Sequence, residues 1–246
     1  MQPQPLEFGD PLAISVTAAI RSGDLPALRR LLDAHPALAT ARIVRRGEAA
    51  GERSLLHVAT DWPGHRPHTA EVIRTLVAAG ADPGARFVGA PAETPLHWAA
   101  SNDDVHAVDA LVAAGADIEA PGAVLGGGTP LTDACGFGQW RAARRLLDHG
   151  ARPGLQEAAA LGLLDRVVDL LACGTSREDV TSGFWAACHG GQLSTARYLL
   201  SQGADLNWIG HDRMTPLDIA LTREDAELIA WLKASGGQLA DGFPPG

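Results

Sequence analysis

Thr94-Pro95-Leu96-His97-Trp98-Ala99-Ala100 is the stretch on which the reading of this chain turns. It returns as Thr129-Pro130-Leu131-Thr132-Asp133-Ala134-Cys135 and again as Thr215-Pro216-Leu217-Asp218-Ile219-Ala220-Leu221. A threonine before a proline is a helix start. The hydroxyl can cap free backbone amides, and proline suits the first helical position, where its missing N–H is not needed. Leu96, Ala99 and Ala100 then form an inner stripe whose small alanines let neighbouring helices approach closely. A turn at Asn102-Asp103 leads to a second helix, Val105 to Ala114, with Val108, Leu111 and Val112 at helical spacing. Gly115 suits the left-handed residue that ends it, and Asp117-Ile118-Glu119 enters an extended loop.

Seven copies align on the core apolar residue and the residue that closes the second helix: Val16–His35, Leu56–Gly80, Leu96–Gly115, Leu131–Gly150, Leu155–Gly174, Phe184–Gly203 and Leu217–Gly236. Six of them share a separation of 19, and the second has 24. So constant a spacing between irregular loops marks a repeated two-helix unit. The period near 33 residues around Thr-Pro-Leu-His resembles the ankyrin-repeat family over residues 14–236. The first copy lacks Thr-Pro, and the fifth reads Gly154-Leu155-Gln156-Glu157. The resemblance implies an all-α solenoid of about seven helix-turn-helix units with projecting finger loops and a concave face. The units fall near 14–52, 53–92, 93–127, 128–152, 153–180, 181–213 and 214–236. Residues 1–13 and 237–246 read as terminal tails. The charged seventh copy (Arg223, Glu224, Asp225, Glu227, Lys233) fits a polar end cap.

The balance of 20 Lys plus Arg against 29 Asp plus Glu gives a net charge of −9. An acidic chain repels phosphate backbones, which argues against nucleic acid as a partner. The absence of any run of 18 apolar residues argues against a membrane span. Three cysteines, Cys135, Cys173 and Cys188, are an odd number without C-x-x-C spacing. They fit neither a disulfide framework nor a standard zinc module and point to a reducing, cytoplasmic setting. Lys233 is the sole lysine, an arginine bias that suggests a GC-rich bacterial genome.

The connections between copies are irregular, with separations of 21, 16, 16, 5, 10 and 14 from each closing residue to the next core residue. The first finger holds Arg42-Ile43-Val44-Arg45-Arg46-Gly47-Glu48. The third is glycine-rich, Pro121-Gly122-Ala123-Val124-Leu125-Gly126-Gly127-Gly128. The fourth is cut to Ala151-Arg152-Pro153-Gly154. Uneven loops on a rigid scaffold are where function tends to sit. The five extra residues of the second copy lie within Asp61-Trp62-Pro63-Gly64-His65-Arg66-Pro67-His68. His57, Asp61, His65 and His68 are spaced loosely like metal ligands, but Pro63 and Gly64 break any helix that would align them, and no metal is expected.

By analogy with the family, the residue after the motif His and those after the alanine pair face inward. They bring together Trp98, Asn102, Asp133, Phe137, Glu157, Trp185 and His189, with Trp62, Trp208 and His211 on adjoining loops. These ten residues form the expected binding surface. Carboxylates on a mostly apolar face acquire raised pKa values, so Asp133 and Glu157, with His189, are the candidate catalytic groups if the chain is an enzyme. No nucleophile triad, phosphate loop or cofactor motif is present. The favoured reading is a cytosolic scaffold that binds a protein partner through its concave face and fingers, without chemistry. The alternative is an ankyrin-fold enzyme or small-molecule binder with an acid–base pocket around the shortened fourth finger, suited to cyclisation, rearrangement or hydrolysis.

Overall fold

The computed structural model describes residues 5–47 and 50–242. Glu48 of the first finger, the first four residues and the last four lie outside the described residues. The chain divides into two compact units, Met1–Ala151 and Arg152–Gly246. The division falls inside the shortened connection 151–154.

The first unit is built from four helix pairs: α1 (Pro11–Ser22) with α2 (Leu25–Ala34), α3 (Leu55–Thr60) with α4 (Thr69–Ala78), α5 (Pro95–Ser101) with α6 (Val105–Ala113), and α7 (Pro130–Gly136) with α8 (Trp140–Asp148). The first helices of successive pairs pack in a row, and the second helices pack in another. Leu96, Ala99, Ala100, Val108 and Leu111 are fully buried between them. The second unit repeats the plan with α9 (Leu155–Ala160) and α10 (Leu164–Ala172), α11 (Arg177–His189) and α12 (Leu193–Ser201), and α13 (Pro216–Thr222) and α14 (Ala226–Ala234). Among the described residues the fold is a repeat of helix pairs with one small sheet.

That sheet corrects the expectation of an N-terminal tail. Strand β1 (Pro5–Glu7) pairs in parallel with β2 (Arg42–Arg45), which pairs antiparallel with β3 (Gly51–Ser54). Leu6 and Ile43 are register partners and both are buried. Asp10 caps α1, its Oδ1 accepting from the Leu12 amide at 2.7 Å. The described part of 1–13 is therefore held by apolar burial and a helix cap. The 237–246 tail is likewise tied down as far as it is described. Thr215 Oγ1 donates to the Gln238 carbonyl at 2.8 Å, the Ala240 amide donates to Asp218 Oδ2 at 3.0 Å, and the Gln238 amide donates to Asn207 at 2.8 Å.

One interaction recurs between copies. In α5 the Thr94 amide donates to His97 Nδ1 at 3.1 Å, so the ring proton resides on Nε2, which points at the Gly128 carbonyl at 3.5 Å. In α3 the Ser54 amide meets His57 Nδ1 at 3.3 Å, and Nε2 donates to the Glu93 carbonyl at 3.1 Å. Gly128 and Glu93 each stand immediately before the threonine that starts the next copy. In the second unit Trp185 occupies the histidine position, and its indole N–H donates to the Met214 carbonyl at 2.9 Å, again one residue before a starting threonine. Thus one N–H on a buried ring fixes where the following helix begins.

Burial drives the pKa of His57 down to about 3 and that of His97 down to about 4, against 6.5 for free histidine. Both rings stay neutral in the fold, whereas in the unfolded chain they protonate near 6.5. Their contribution to stability is complete above that pH and is lost as pH falls towards 4 and then 3. His97→Ala should cost about 2–4 kcal/mol at pH 7.5, through lost packing and an orphaned amide. It should also flatten the decline in stability between pH 6.5 and 4.5 in urea titrations. A variant that keeps the wild-type slope over that interval contradicts the assignment.

Candidate functional site

The first unit contains an open cleft of about 500 Å³. Its rim is apolar and wet: Trp62 is 79% exposed, while Val124 and Phe137 are each 47% exposed. Its wall carries Trp98, Glu93 and Asn102, with Asp61, Ser101 and Gln139 completing it. Trp98 follows the buried His97, and its indole N–H donates to Glu93 Oε2 at 3.0 Å. Asn102 is held by its amide, which donates to the Thr60 carbonyl at 2.9 Å. Asp61 takes Arg53 at 3.0 Å and Arg21 at 3.3 Å. The Arg53 guanidinium also lies over the Trp98 ring, 5.8 Å from its centroid.

Asp133 sits behind this wall and is fully buried. Its position depends on the glycine-rich loop. Gly126 and Gly127 adopt left-handed φ values of 64° and 71°, where glycine alone is unstrained. The resulting turn carries the Leu125 amide over Asp133 Oδ1 at 3.4 Å. Asp133 Oδ2 is buried with no hydrogen-bond partner. Its neighbour is another carboxyl, Glu93. Burial and then the Glu93 charge push the Asp133 pKa up to about 7, and burial raises that of Glu93, against the Trp98 N–H, which lowers it. Two adjacent carboxyls of this kind share a proton near neutral pH, because the second charge would be uncompensated.

Five expected surface residues thus gather at one place in the first unit: Trp62, Trp98, Asn102 and Phe137 at the cleft, and Asp133 behind it. Four others gather in the second. Trp185 stacks on His189 with ring centroids 5.4 Å apart, His211 meets Trp185 edge-on at 5.3 Å, and Trp208 lies 6.4 Å from His211. Gly210 lets the indoles close up, since a Cβ there would fall 2.6 Å from Trp208 and 2.8 Å from Trp185. Trp185 is only 6% exposed, so it packs and bridges more than it offers surface.

Glu157 lies in the first turn of α9 in the second unit, a different unit from Asp133. The carboxyl that the structure sets beside Asp133 is instead Glu93, which the sequence reading passed over. A signal was present. The residue before each helix cap is Arg53, Glu93, Gly128 or Met214 in otherwise similar copies, and a position released from the repeat pattern is free to serve a site.

His57 has both ring nitrogens engaged, and His65 Nε2 bonds the Asn102 carbonyl at 2.9 Å. Among the described residues no group of three or more His, Cys, Asp or Glu side chains is placed to hold a metal ion. Nor is any described helix long and apolar enough to cross a membrane.

The family models agree with the architecture. One family model, ankyrin repeats in three copies, matches residues 66–157, and another, ankyrin repeats in many copies, matches residues 184–232. The Caenorhabditis elegans ankyrin repeat and KH domain-containing protein mask-1 is 30% identical over 145 residues, which is 59% of this chain and 5% of that protein. The chain thus spans a small fraction of that relative. Among solved structures, the human ASB11 ankyrin repeat domain aligns with 25% identity and a TM-score of 0.43, covering 76% of this chain and 85% of the other. With the two models together matching more than half of its length and the helix pairs recurring as described, the chain belongs to the ankyrin-repeat family.

Proposed function

We propose that this chain binds a partner protein through the cleft of the first unit, with Trp62, Val124 and Phe137 as contact residues. Ankyrin repeats are generally protein–protein interaction modules. The observation that carries the reading is the exposed apolar rim around a wall of fixed polar groups. Aromatic side chains displayed around a depression are the usual anchors of protein interfaces. The odd cysteine count, with Cys135 and Cys188 buried and Cys173 exposed, favours a cytoplasmic setting. A photo-crosslinking side chain at position 124 should trap a discrete partner in native extract, whereas one at Arg144, exposed on α8, should not. Adding Trp62→Ala and Phe137→Ala should lower the yield at position 124 by about tenfold, the effect of losing roughly 1.4 kcal/mol of contact energy. Equal yields at 124 and 144, or no loss in the double variant, contradict the reading.

A second reading, acid–base chemistry in the same cleft, draws on the proton shared by Asp133 and Glu93. Asp133 would act as the acid and Glu93 would take the part first given to Glu157. The proton itself can be tested. The folded-state value near 7 lies above the ordinary 3.8, so the fold binds this proton more tightly than the unfolded chain does. The stability it contributes is complete below about pH 4 and is lost as pH rises to 7. Asp133→Asn keeps an oxygen for the Leu125 amide and sets an N–H against Glu93. It should raise stability by about 2 kcal/mol at pH 8 and change it little at pH 4, read from denaturant titrations. A gain that is the same at both pH values contradicts a proton held there.

A further inference from the structure

We propose that the Glu93 carboxylate, with the buried Asp133 charge behind it, receives the ammonium group of a lysine side chain presented by the partner, with Trp98 and Phe137 as the aromatic walls that flank its methylene stem. The proposal rests on the protein-binding reading above and names the chemistry of the contact.

The argument begins from charge. Among the described residues no salt bridge reaches Glu93 or Asp133. The cations of the flanking loops are committed elsewhere. Arg53 is held by Asp61, Arg86 donates to the carbonyls of Ala92 and Pro121, and Arg42 donates to the Arg86 carbonyl. His57 on α3 and His97 on α5 are neutral. The pair's N–H donors are therefore the Trp98 indole on Glu93 and the backbone amides of Leu125 and Val124 on Asp133. No N–H reaches Asp133 Oδ2, which lies on the side of the Glu93 carboxyl. A carboxylate at the wall of an open cleft, with a second carboxyl behind it and no cation on either, complements a cation that enters with its own donors.

The geometry then selects the cation. Trp98 engages Glu93 Oε2, so this carboxylate does not present two unengaged oxygens to a fork. A guanidinium fork seeks two parallel acceptors on one carboxylate, whereas an ammonium is a compact charge that a single oxygen can hold. Its stem is apolar and suits the wet apolar rim. Arg53 over the Trp98 ring already places a cation against this indole, the kind of attraction an aromatic wall offers.

Proton and ammonium compete for the pair. Below about pH 7 the pair keeps its proton and carries one charge; above it both carboxylates are ionised. Ammonium binding should therefore tighten as pH rises through 7, by about tenfold between pH 6 and pH 8.

The test uses the whole chain and two probes, Nα-acetyl-lysine N-methylamide and the same compound acetylated at Nε. The readout is the Trp98 indole N–H resonance, assigned with Trp98→Phe. The charged probe should shift it, about tenfold more tightly at pH 8 than at pH 6, and the neutral probe should not. Glu93→Gln, at a partly exposed position, should abolish the shift while its melting curve shows an intact fold; Asp133→Asn should remove the pH dependence. Equal shifts from both probes, a flat pH profile, or wild-type binding by Glu93→Gln would overturn the proposal. If the lysine probe is silent while loss of Trp62 and Phe137 still abolishes partner crosslinking, the cation falls and the protein-binding reading stands. If crosslinking is also unaffected, both fall.

Discussion

A single N–H on a buried ring, aimed at the carbonyl just ahead of the next copy, is the contact on which the local order of these repeats depends. His57 reaches Glu93, His97 reaches Gly128 and Trp185 reaches Met214. Each histidine sits in a helix whose first turn is capped from within, so its direction is set locally. Each carbonyl lies at the threshold of the following Thr-Pro. A buried hydrogen bond contributes only about 1 kcal/mol net, but a buried orphan costs more. The bond therefore acts chiefly by excluding registers in which ring and carbonyl miss each other.

The candidate site follows from that constraint. By fixing the Glu93 backbone, His57 places the Glu93 carboxyl beside the Trp98 indole of its own copy. The glycine-rich loop brings its amide to Asp133 from the other side. The two carboxyls come together because two separate scaffolding contacts hold them there, and their mutual repulsion is relieved by one retained proton. Burying one carboxyl against another is unfavourable for stability, which is the pattern expected where a site is kept ready for a ligand.

Much of this architecture was legible in the residues. Thr-Pro starts, alanine stripes and closing glycines are local signals, and the helices follow them closely: Val105–Ala113 is observed where Val105 to Ala114 was expected. What escaped was nonlocal. Strand β1 has three residues and exists because Ile43, far along the chain, offers Leu6 a partner. Asp133 was recognised as out of pattern, but its partner was sought one copy forward at Glu157, whereas the finger geometry brings Glu93 from the copy before. Trp98 and Trp185 read alike as inward aromatics. Trp98 stands one place after the motif histidine and looks into the cleft, while Trp185 replaces that histidine and inherits its bridging task. That difference of one position was visible, but its consequence required knowing where the histidine N–H goes.

The most direct measurement of the central claim is the tautomer and titration of the two histidines, observed by long-range proton–nitrogen correlation in the folded chain. His57 and His97 are expected to show protonated Nε2 and bare Nδ1 throughout, and to stay neutral from pH 8 down to pH 5.5. Titration of either ring near 6.5, or a proton found on Nδ1, would mean that the ring is not donating to the next copy's threshold, and the account would fail at its base.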